Sequence, residues 1–259
     1  MGLQPAVVFP CHDPDGVLLL RLESILPQLR ALFASAFMSV TESTAVAHSQ
    51  SLARLQTDAF LSVNVTPHGT PIGVQFYNLY RRAANSCPVN QVLHLCFPDR
   101  LVYALLGPHR EAFCADMKAL MESPLLFQRS AAAWATHPRN YAVTESLLTQ
   151  LGEMILGRSL DFSWCHLALT AQQLREILPY LKAHDLAILC EMVLALRQSL
   201  RTVDVDWLAW EDPLILGREP EQLKCERELS AAETRKRLAY VEPMLKVLFD
   251  FARQLEEER

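Results

Sequence analysis

The sequence predicts an α/β fold with a mostly parallel, open sheet flanked by helices, followed by a helical C-terminal half. Up to about residue 130, short apolar runs alternate with segments of helical periodicity. The runs contain few polar breaks, which is typical of strands covered on both faces. After residue 130 the periodicity is mainly helical. Alternation of this kind favours parallel strands joined by right-handed crossover helices.

Four short apolar runs predict the first four strands, at residues 6–9, 36–40, 60–65 and 91–96. Apolar residues at helical spacing predict intervening helices over residues 17–34, 49–55 and 72–85, the first of them kinked or split at Pro27. A fifth strand is predicted at residues 125–128.

The second half contains four predicted helices, over residues 141–156, 171–183, 186–200 and 231–257. Gly157 is a typical C-terminal cap, Thr170 and Asp185 are typical N-caps, and residues 230–233 fit a capping box. Pro243 predicts a kink or break in the last helix, and residues 161–165 fit either a short strand or a loop. No linker or repeat divides the chain, so we expect one α/β domain over residues 1–259, with an alternating half at 1–130 and a helical half at 131–259.

Composition narrows the class of protein. The 259 residues are 51% hydrophobic and 20% charged, with a net charge of −5, which favours a large core and argues against a broad nucleic-acid surface. The seven cysteines form no C-x-x-C motif, which excludes a zinc ribbon and a thioredoxin-like site. No apolar run reaches the roughly 18 to 20 residues of a membrane span, and we expect a cytoplasmic protein with reduced thiols.

Familiar motifs of α/β enzymes are missing from this sequence. It contains no G-x-G-x-x-G after the first strand, no P-loop, no G-x-S-x-G and no H-E-x-x-H, and only 8 glycines. Ordinary dinucleotide-binding, P-loop, α/β-hydrolase and zinc-protease functions are therefore not indicated.

Two pairs of polar residues follow predicted strands and are the first candidates for a site. His12 and Asp13 follow the first strand, and Asp99 and Arg100 follow the fourth. The carboxyl ends of parallel strands converge on one edge, where ligands bind. There a carboxylate can hold a ribose hydroxyl or a metal, and an arginine can clamp phosphate oxygens. Alternatively, Asp13 bonds to a turn, and Asp99 caps a helix starting near residue 101 while Arg100 lies in solvent.

Residues on two predicted helices and in the segment 161–165 form a second group of candidates. Arg82 lies on the predicted helix 72–85 and either points towards a phosphate or forms part of a solvated face. Asp161 stands beside two aromatic residues, a combination that suits a sugar ring and its hydroxyls. Tyr141 and Glu145, one helical turn apart, could support the same pocket. The alternative is that the aromatic residues near Asp161 are core anchors.

The densest acidic and aromatic segment lies at residues 204–212. Its D-x-D at Asp204 and Asp206 fits a metal site. Its alternation of acidic and apolar residues fits an amphipathic edge strand or loop equally well, with the acids in water. The mixed-charge run 224–236 is typical of an exposed helical face.

The order of these features resembles the GT-A fold of nucleotide-diphospho-sugar transferases, a Rossmann-like arrangement. Over residues 5–165, a first strand ends at the polar loop 10–13, and a helix at 72–85 leads into a buried strand that ends at an acid. In that family the corresponding strand ends in a D-x-D motif that holds a divalent metal and the diphosphate. Here the tetrapeptide is Phe97-Pro98-Asp99-Arg100, with a single acid.

The resemblance implies Asp99 as a metal ligand, with Mn²⁺ or Mg²⁺ as the cofactor. The incomplete motif puts that metal in doubt, because such cations take several oxygen ligands. Either Arg100 replaces the metal as a clamp for the diphosphate, or the fold binds its ligand without transferring a sugar.

The function implied is that of a glycosyltransferase-like protein that binds a nucleotide or nucleotide-sugar in the half at 1–130. Asp99 would hold ribose or sugar hydroxyls, Arg100 phosphate, and His12 and Asp13 the base, while Asp161 would be the base on the acceptor side. The alternative is a non-catalytic interaction protein whose helix 231–257 is a partner surface or a homodimer interface. Another phosphate-ester enzyme is a third interpretation, although the D-x-D-x-[TV] of such phosphatases is missing after the first strand.

Overall fold

The computed structural model describes residues 3–120 and 123–257. Its strands are β1 (Ala6–Cys11), β2 (Ser35–Thr41), β3 (Leu61–Thr66), β4 (Val92–Cys96), β5 (Leu125–Arg129), β6 (His166–Thr170) and β7 (Arg201–Val205). Its helices are α1 (Val17–Leu32), α2 (Glu42–Ala47), α3 (Ser49–Gln56), α4 (Ile72–Ser86), α5 (Pro98–Leu106), α6 (Arg110–Lys118), α7 (Ala131–Thr136), α8 (Arg139–Leu156), α9 (Ala171–Ile177), α10 (Ala187–Leu196), α11 (Asp212–Leu216), α12 (Pro220–Leu229) and α13 (Ala231–Glu257). None of these helices combines the length and the apolar character that a membrane crossing requires.

Across the described ranges the strands form a seven-stranded sheet in the order β3-β2-β1-β4-β6-β5-β7. Neighbouring strands are parallel except at β6, which runs antiparallel to both β4 and β5. The predicted α/β class with a mostly parallel sheet is confirmed. The sequence pattern did not predict β6, because its short apolar run lies among predicted helices and periodicity alone does not distinguish such a run from a helical segment.

The sheet is covered on both faces, which explains the nearly continuous apolar runs of β1 and β4. Ala6 and Val8 face a layer built from α4, α9, α10 and α13. Val7 and Phe9 face a layer that includes α1, α5 and α6. Successive residues of a strand point to opposite faces, so both sets must be apolar.

The strand order places a topological switch between β1 and β4. From β1 the chain moves outward through β2 to β3, and β4 then lies on the other side of β1. At such a point the loops that follow the two strands separate and leave a crevice beyond the carboxyl ends. The segments that follow β1 and β4, beginning at His12 and Phe97, therefore border this crevice.

Several element boundaries correct the sequence predictions. Of the two alternatives for residues 161–165, the structure has the loop, since β6 begins at His166. Helix α9 ends at Ile177 and passes into a 3₁₀ turn that contains Pro179, instead of continuing to residue 183. Pro243 lies inside α13 without ending it. The half after residue 130 is mostly helical, as predicted, and also contains β6 and β7.

Two predicted helix caps are confirmed. Thr170 and Gln173 form a reciprocal capping box at the start of α9. Gly157 ends α8 with φ +70°, a left-handed conformation that glycine adopts without a steric penalty.

Gly152 allows α8 to approach the segment that precedes β6. A Cβ at this position would lie 1.9 Å from a ring carbon of Phe162, which is fully buried. We expect Gly152→Ala to lower the free energy of unfolding by about 1–3 kcal/mol through overpacking, despite alanine's better helix propensity. Chemical denaturation measures this effect. The exposed Gln150→Ala on the same helix is the control, and equal stability of the two variants would contradict the close packing.

Candidate functional site

A cavity of about 430 Å³ lies at the switch point between β1 and β4. Its lining comes from the segments after these two strands and from α4, α8, α10, α11, α12 and α13. The acidic residues on its wall are Asp99, Glu145, Glu211 and Asp212, and the basic residues are Arg100, Arg227, Lys236 and Arg237. The cavity therefore offers groups of both charges to a ligand.

Five residues singled out from the sequence line this cavity: His12, Asp99, Arg100, Tyr141 and Glu145. Three others, Asp13, Arg82 and Asp161, are not part of its lining. The convergence of the segments after β1 and β4 is what the parallel topology predicts. Tyr141 and Glu145 contribute to the lining from α8.

Asp99 lies in the first turn of α5, directly after Pro98 at the start of the helix. Its Oδ1 accepts a hydrogen bond of 2.8 Å from the backbone N–H of Arg100. Burial raises the pKa of Asp99, the Arg100 guanidinium opposes this, and Asp212 adds to the rise. Asp99 thus combines a local role at the helix terminus with a position on the cavity wall.

Arg100 is buried rather than solvated. Its guanidinium pairs with Glu211, and Nη1 lies 3.2 Å from both the Ala209 carbonyl and His137 Nε2. Burial raises the pKa of Glu211 to about 8, with Arg100 opposing and Asp99 adding to the rise. Nη1 of Arg100 is therefore already engaged inside the protein.

His12 is exposed and directed across the sheet edge towards the next strand. Its Nδ1 lies 2.9 Å from Thr41 Oγ1 at the end of β2. Asp13 is buried, and its Oδ2 accepts a 2.7 Å hydrogen bond from the Leu19 N–H at the start of α1. The turn interaction considered for Asp13 is therefore present in the structure.

Arg82 lies on the β3 side of the sheet. Its guanidinium donates to Asn64 Oδ1 at 2.7 Å and to Ser62 Oγ. Both partners belong to β3, an edge strand two positions away from β1. The structure thus uses Arg82 to attach α4 to the sheet edge.

Asp161 is buried and forms a bidentate ion pair with Arg129 at the end of β5. Arg129 Nη2 lies 2.8 Å from Asp161 Oδ2 and 3.0 Å from Oδ1, and Nε lies 3.1 Å from Oδ2. Ser163 N–H and Oγ donate to Oδ1, each at 3.0 Å. Both carboxylate oxygens are thereby engaged, and the assignment of Asp161 as an acceptor-side base stays a prediction.

Glu145 continues this network from Arg129 to the wall of the cavity. Arg129 Nη1 pairs with one Glu145 oxygen, and Arg237 Nη1 lies 3.5 Å from the other. Arg237 also stacks on Tyr141, with its Cζ 3.5 Å from the ring centroid. The Tyr141 hydroxyl donates to Glu233 at 2.8 Å. An alternating chain of charges thus connects β5, α8 and α13.

Asp99 does not belong to a three-ligand metal set in residues 3–120 and 123–257. The mutual pKa effects of Asp99, Glu211 and Asp212 place them in one neighbourhood. Their ligand atoms do not gather within 4.8 Å of one another. The described residues around Asp99 therefore do not by themselves supply three ligands for a divalent ion, and Asp99 as a metal ligand stays a prediction.

Sequence reasoning missed the contribution of α12 and α13 to the site. The run 224–236, which contains Arg227 and Lys236, has the mixed charge of a solvated helical face, so this pattern offered no reason to place it at a binding site. One signal was present: Arg237 stands in helical register with the buried residues Val241, Met244 and Leu248. A charge at a core-facing position indicates a partner or a cavity. The D-x-D residues Asp204 and Asp206 are exposed at edge strand β7 and do not line the cavity.

Replacement of Asp161 tests whether it mainly holds Arg129. We expect Asp161→Asn to lower the free energy of unfolding by about 3–5 kcal/mol, because it leaves a buried guanidinium without one of its charged partners. Denaturant unfolding measures the loss. Asp204→Asn, at an exposed position on β7, is the control. A variant as stable as the control would argue against the structural role.

The ion pairs of Glu145 predict an acid-dependent loss of stability. Burial opposes ionisation, but Arg129 and Arg237 outweigh it and lower the pKa of Glu145 from 4.5 to about 2. The stabilisation is therefore complete above the unfolded pKa and is lost as the pH falls through the folded one. We expect Glu145→Gln to flatten the fall in unfolding free energy between about pH 5 and pH 2. Glu153→Gln, exposed on the same helix, should retain the slope of the unmutated chain; equal slopes in both variants would contradict the ion pairs.

Comparisons with known proteins bear on the fold. A scan against protein-family profiles finds no match, and a search of curated proteins finds no significant match. Among solved structures, the chain is similar to glucosyl-3-phosphoglycerate synthase from Mycobacterium tuberculosis in complex with Mn²⁺, UDP-glucose and phosphoglyceric acid. That alignment covers 95% of this chain and 80% of the other, with 13% identity and a TM-score of 0.50.

Two further solved structures show weaker similarity. Another crystal structure of the same M. tuberculosis synthase aligns over 94% of this chain and 81% of the other, with 13% identity and a TM-score of 0.49. A mycobacterial protein aligns over 80% of this chain and 66% of its own, with 16% identity and a TM-score of 0.49. At such identities a likeness establishes the fold alone. The chain therefore has a GT-A-like fold, as the arrangement of its strands predicted.

Proposed function

We propose that the cavity binds a nucleotide-sugar and that the chain is a glycosyltransferase. The observation that carries this proposal is the position of the cavity: it opens where the segments after β1 and β4 separate, and His12 and Asp99 follow these two strands on its wall. The switch point is where open α/β sheets bind nucleotides. The solved structure with a TM-score of 0.50 holds UDP-glucose, which makes a UDP-sugar the first donor to test.

Asp99 and His12 are proposed to hold the nucleoside part of the donor. A carboxylate at Asp99 accepts hydrogen bonds from ribose or sugar hydroxyls. His12 is exposed and anchored through Nδ1 to Thr41, so its ring can lie against the base. Asp13 is proposed to stabilise this part of the site indirectly, because its carboxylate accepts a hydrogen bond from the Leu19 N–H in the first turn of α1.

We assign the binding of the anionic parts of the ligands to cationic side chains of α12 and α13. Arg100 is already paired with Glu211. Lys236 forms no ion pair within 4 Å among the described residues, and the Nε atoms of Arg227 and Arg237 are buried without a hydrogen-bond partner. These three cations can bind phosphate or carboxylate oxygens. The compared synthase structure contains phosphoglyceric acid as well as the donor, so a phosphate-bearing acceptor is also proposed.

The proposed reaction breaks the bond between the sugar and the diphosphate and forms one to an acceptor hydroxyl. Negative charge develops on the departing diphosphate, and fixed cations nearby stabilise it. Glu211 lines the cavity and in its ionised form is a candidate to receive the acceptor proton. Asp161 is assigned the supporting role of holding Arg129.

A binding protein without turnover is the second candidate. The observation in its favour is that Arg100 and Asp161, two groups expected to act on a ligand, are both engaged in buried ion pairs. Such a protein would retain nucleotide binding without releasing UDP from a UDP-sugar. A homodimer formed through α13 remains a proposal that goes with either function.

Ligand binding tests the proposed site through Lys236. We expect UDP or UDP-glucose, at about 100 times its Kd, to raise the free energy of unfolding by about 2.7 kcal/mol. Lys236→Ala should weaken binding about ten- to a hundredfold, the effect of losing a charge-assisted hydrogen bond. Isothermal titration calorimetry with and without Mn²⁺ measures both affinities.

Arg253→Ala is the matched control, since Arg253 lies exposed near the far end of the same helix and outside the cavity. It should bind as the unmutated chain does. Absence of binding by uridine and guanosine nucleotides and their sugar conjugates would refute the proposed site. Binding without release of UDP from UDP-glucose across phosphate-bearing acceptors would favour the second candidate.

A further inference from the structure

A cluster of three ligand-type side chains lies in the core outside the cavity. His94 and Cys96 share one face of β4, and Cys96 stands directly opposite His166 in the antiparallel pairing with β6. One possible ligand atom from each residue lies within 4.8 Å of the other two. Both histidines are fully buried and Cys96 is 3% exposed. None of the three lines the cavity described above.

Aromatic rings surround this cluster. The His94 ring centroid lies 5.8 Å from those of Phe33 and Phe127, and the His166 centroid lies 4.9 Å from that of Trp207. Phe113 packs edge-on against both imidazoles. The surroundings are therefore apolar, and polar groups placed here lose their contact with water.

The two imidazoles satisfy only part of each other's hydrogen-bonding capacity. His94 Nε2 and His166 Nδ1 share one hydrogen bond of 2.7 Å. His94 Nδ1 and His166 Nε2 are buried without partners. Whichever ring donates, one N–H and one lone pair stay unpaired, at a cost of about 1–3 kcal/mol each. Packing alone does not explain this choice of residues, because apolar side chains would avoid the cost.

The ligand chemistry points to a soft metal ion. Each imidazole directs one ring nitrogen into the space between the two rings, where the pair shares a single hydrogen bond, and a neutral imidazole binds a metal ion through such a nitrogen. Two imidazole nitrogens and one cysteine sulfur suit copper and zinc, not Mg²⁺ or Ca²⁺. Two nitrogens that each lie about 2 Å from one ion are about 3.5 Å apart. The facing nitrogens of His94 and His166 are 2.7 Å apart, so binding of an ion requires the rings to separate by less than about 1 Å.

Charge distinguishes between the two metals. Cu⁺ bound to one thiolate is neutral overall. Zn²⁺ bound to one thiolate keeps a net positive charge, and burying that charge among aromatic side chains without a counter-ion is costly. Zn²⁺ also takes four ligands, and the group contains three in the residues that the structure describes. We propose that His94, Cys96 and His166 form a three-ligand structural site for Cu⁺ that joins β6 to β4.

The binding step is balanced as follows. The Cys96 S–H bond breaks, an S–Cu bond forms, and the thiol proton leaves to solvent. The N–H between the imidazoles moves to the outward nitrogen of its own ring, so neither histidine loses a proton overall. Cu⁺ stays in the same oxidation state, and one proton is released for each ion bound.

Anaerobic titration with Cu⁺ in competition with bicinchoninate tests the site in the full chain. Cys225 is exposed and Cys114 half-buried, so the reference protein carries Cys114→Ser and Cys225→Ser to remove competing thiols. We expect one Cu⁺ per chain, release of one proton, and an X-ray absorption spectrum with one sulfur and two nitrogen ligands. Failure to retain Cu⁺ against the chelator, or a spectrum without this ligand set, would overturn the proposal.

Variants locate the ion. Cys96→Ala should weaken Cu⁺ binding at least about tenfold, whereas the control Cys190→Ala, at a buried thiol in the opposite core layer, should not. His166→Phe keeps an aromatic ring at this position and should abolish Cu⁺ binding. Circular dichroism checks that this variant is folded. Equal affinity of Cys96→Ala and Cys190→Ala would place the ion elsewhere and refute the proposal, as would a preference for Zn²⁺ over Cu⁺.

Discussion

The fully buried guanidinium of Arg129 is the interaction on which the wall of the cavity depends. It holds Asp161 and Ser163 on one side, Glu145 on another, and stacks on Trp134 at 3.8 Å from the ring centroid. A buried charge without partners costs several kcal/mol, so the guanidinium of Arg129 is stable in the core only when the segments that carry its partners pack around it. The arrangement joins β5, α7, α8 and the segment before β6 into one unit.

Glu145 transmits this constraint to the C-terminal helix. Because its other oxygen faces Arg237, which in turn stacks on Tyr141, the position of α13 depends on α8. Tyr141 and Arg227 both bind Glu233 near the start of α13, and Arg227 lies 3.5 Å from Asp212. Arg227 and Arg237 on the cavity wall are therefore held in place by ion pairs with these acids. Side chains held in this way bind an anionic ligand with little loss of conformational entropy.

Part of the site could be predicted from sequence because it follows from local rules. His12 and Asp99 come after apolar strands, and parallel strands bring their carboxyl ends together. The roles of Arg100 and Asp161 could not be predicted in the same way. Arg100 pairs with Glu211, more than a hundred residues later in the chain, and Asp161 pairs with Arg129. Nothing local distinguishes an arginine that binds a ligand from one that neutralises a distant carboxylate.

By itself, the sequence determined the alternation of strands and helices, the burial of β1 and β4 on both faces, and the polar residues that follow them. These features depend on side-chain periodicity and turn chemistry, which act over a few residues. Only the tertiary structure decided that β6 enters antiparallel next to β4, that α13 supplies cations to the cavity, and that His94, Cys96 and His166 meet. Such contacts are long-range, and their energies depend on the desolvation of partners that only the folded chain brings together.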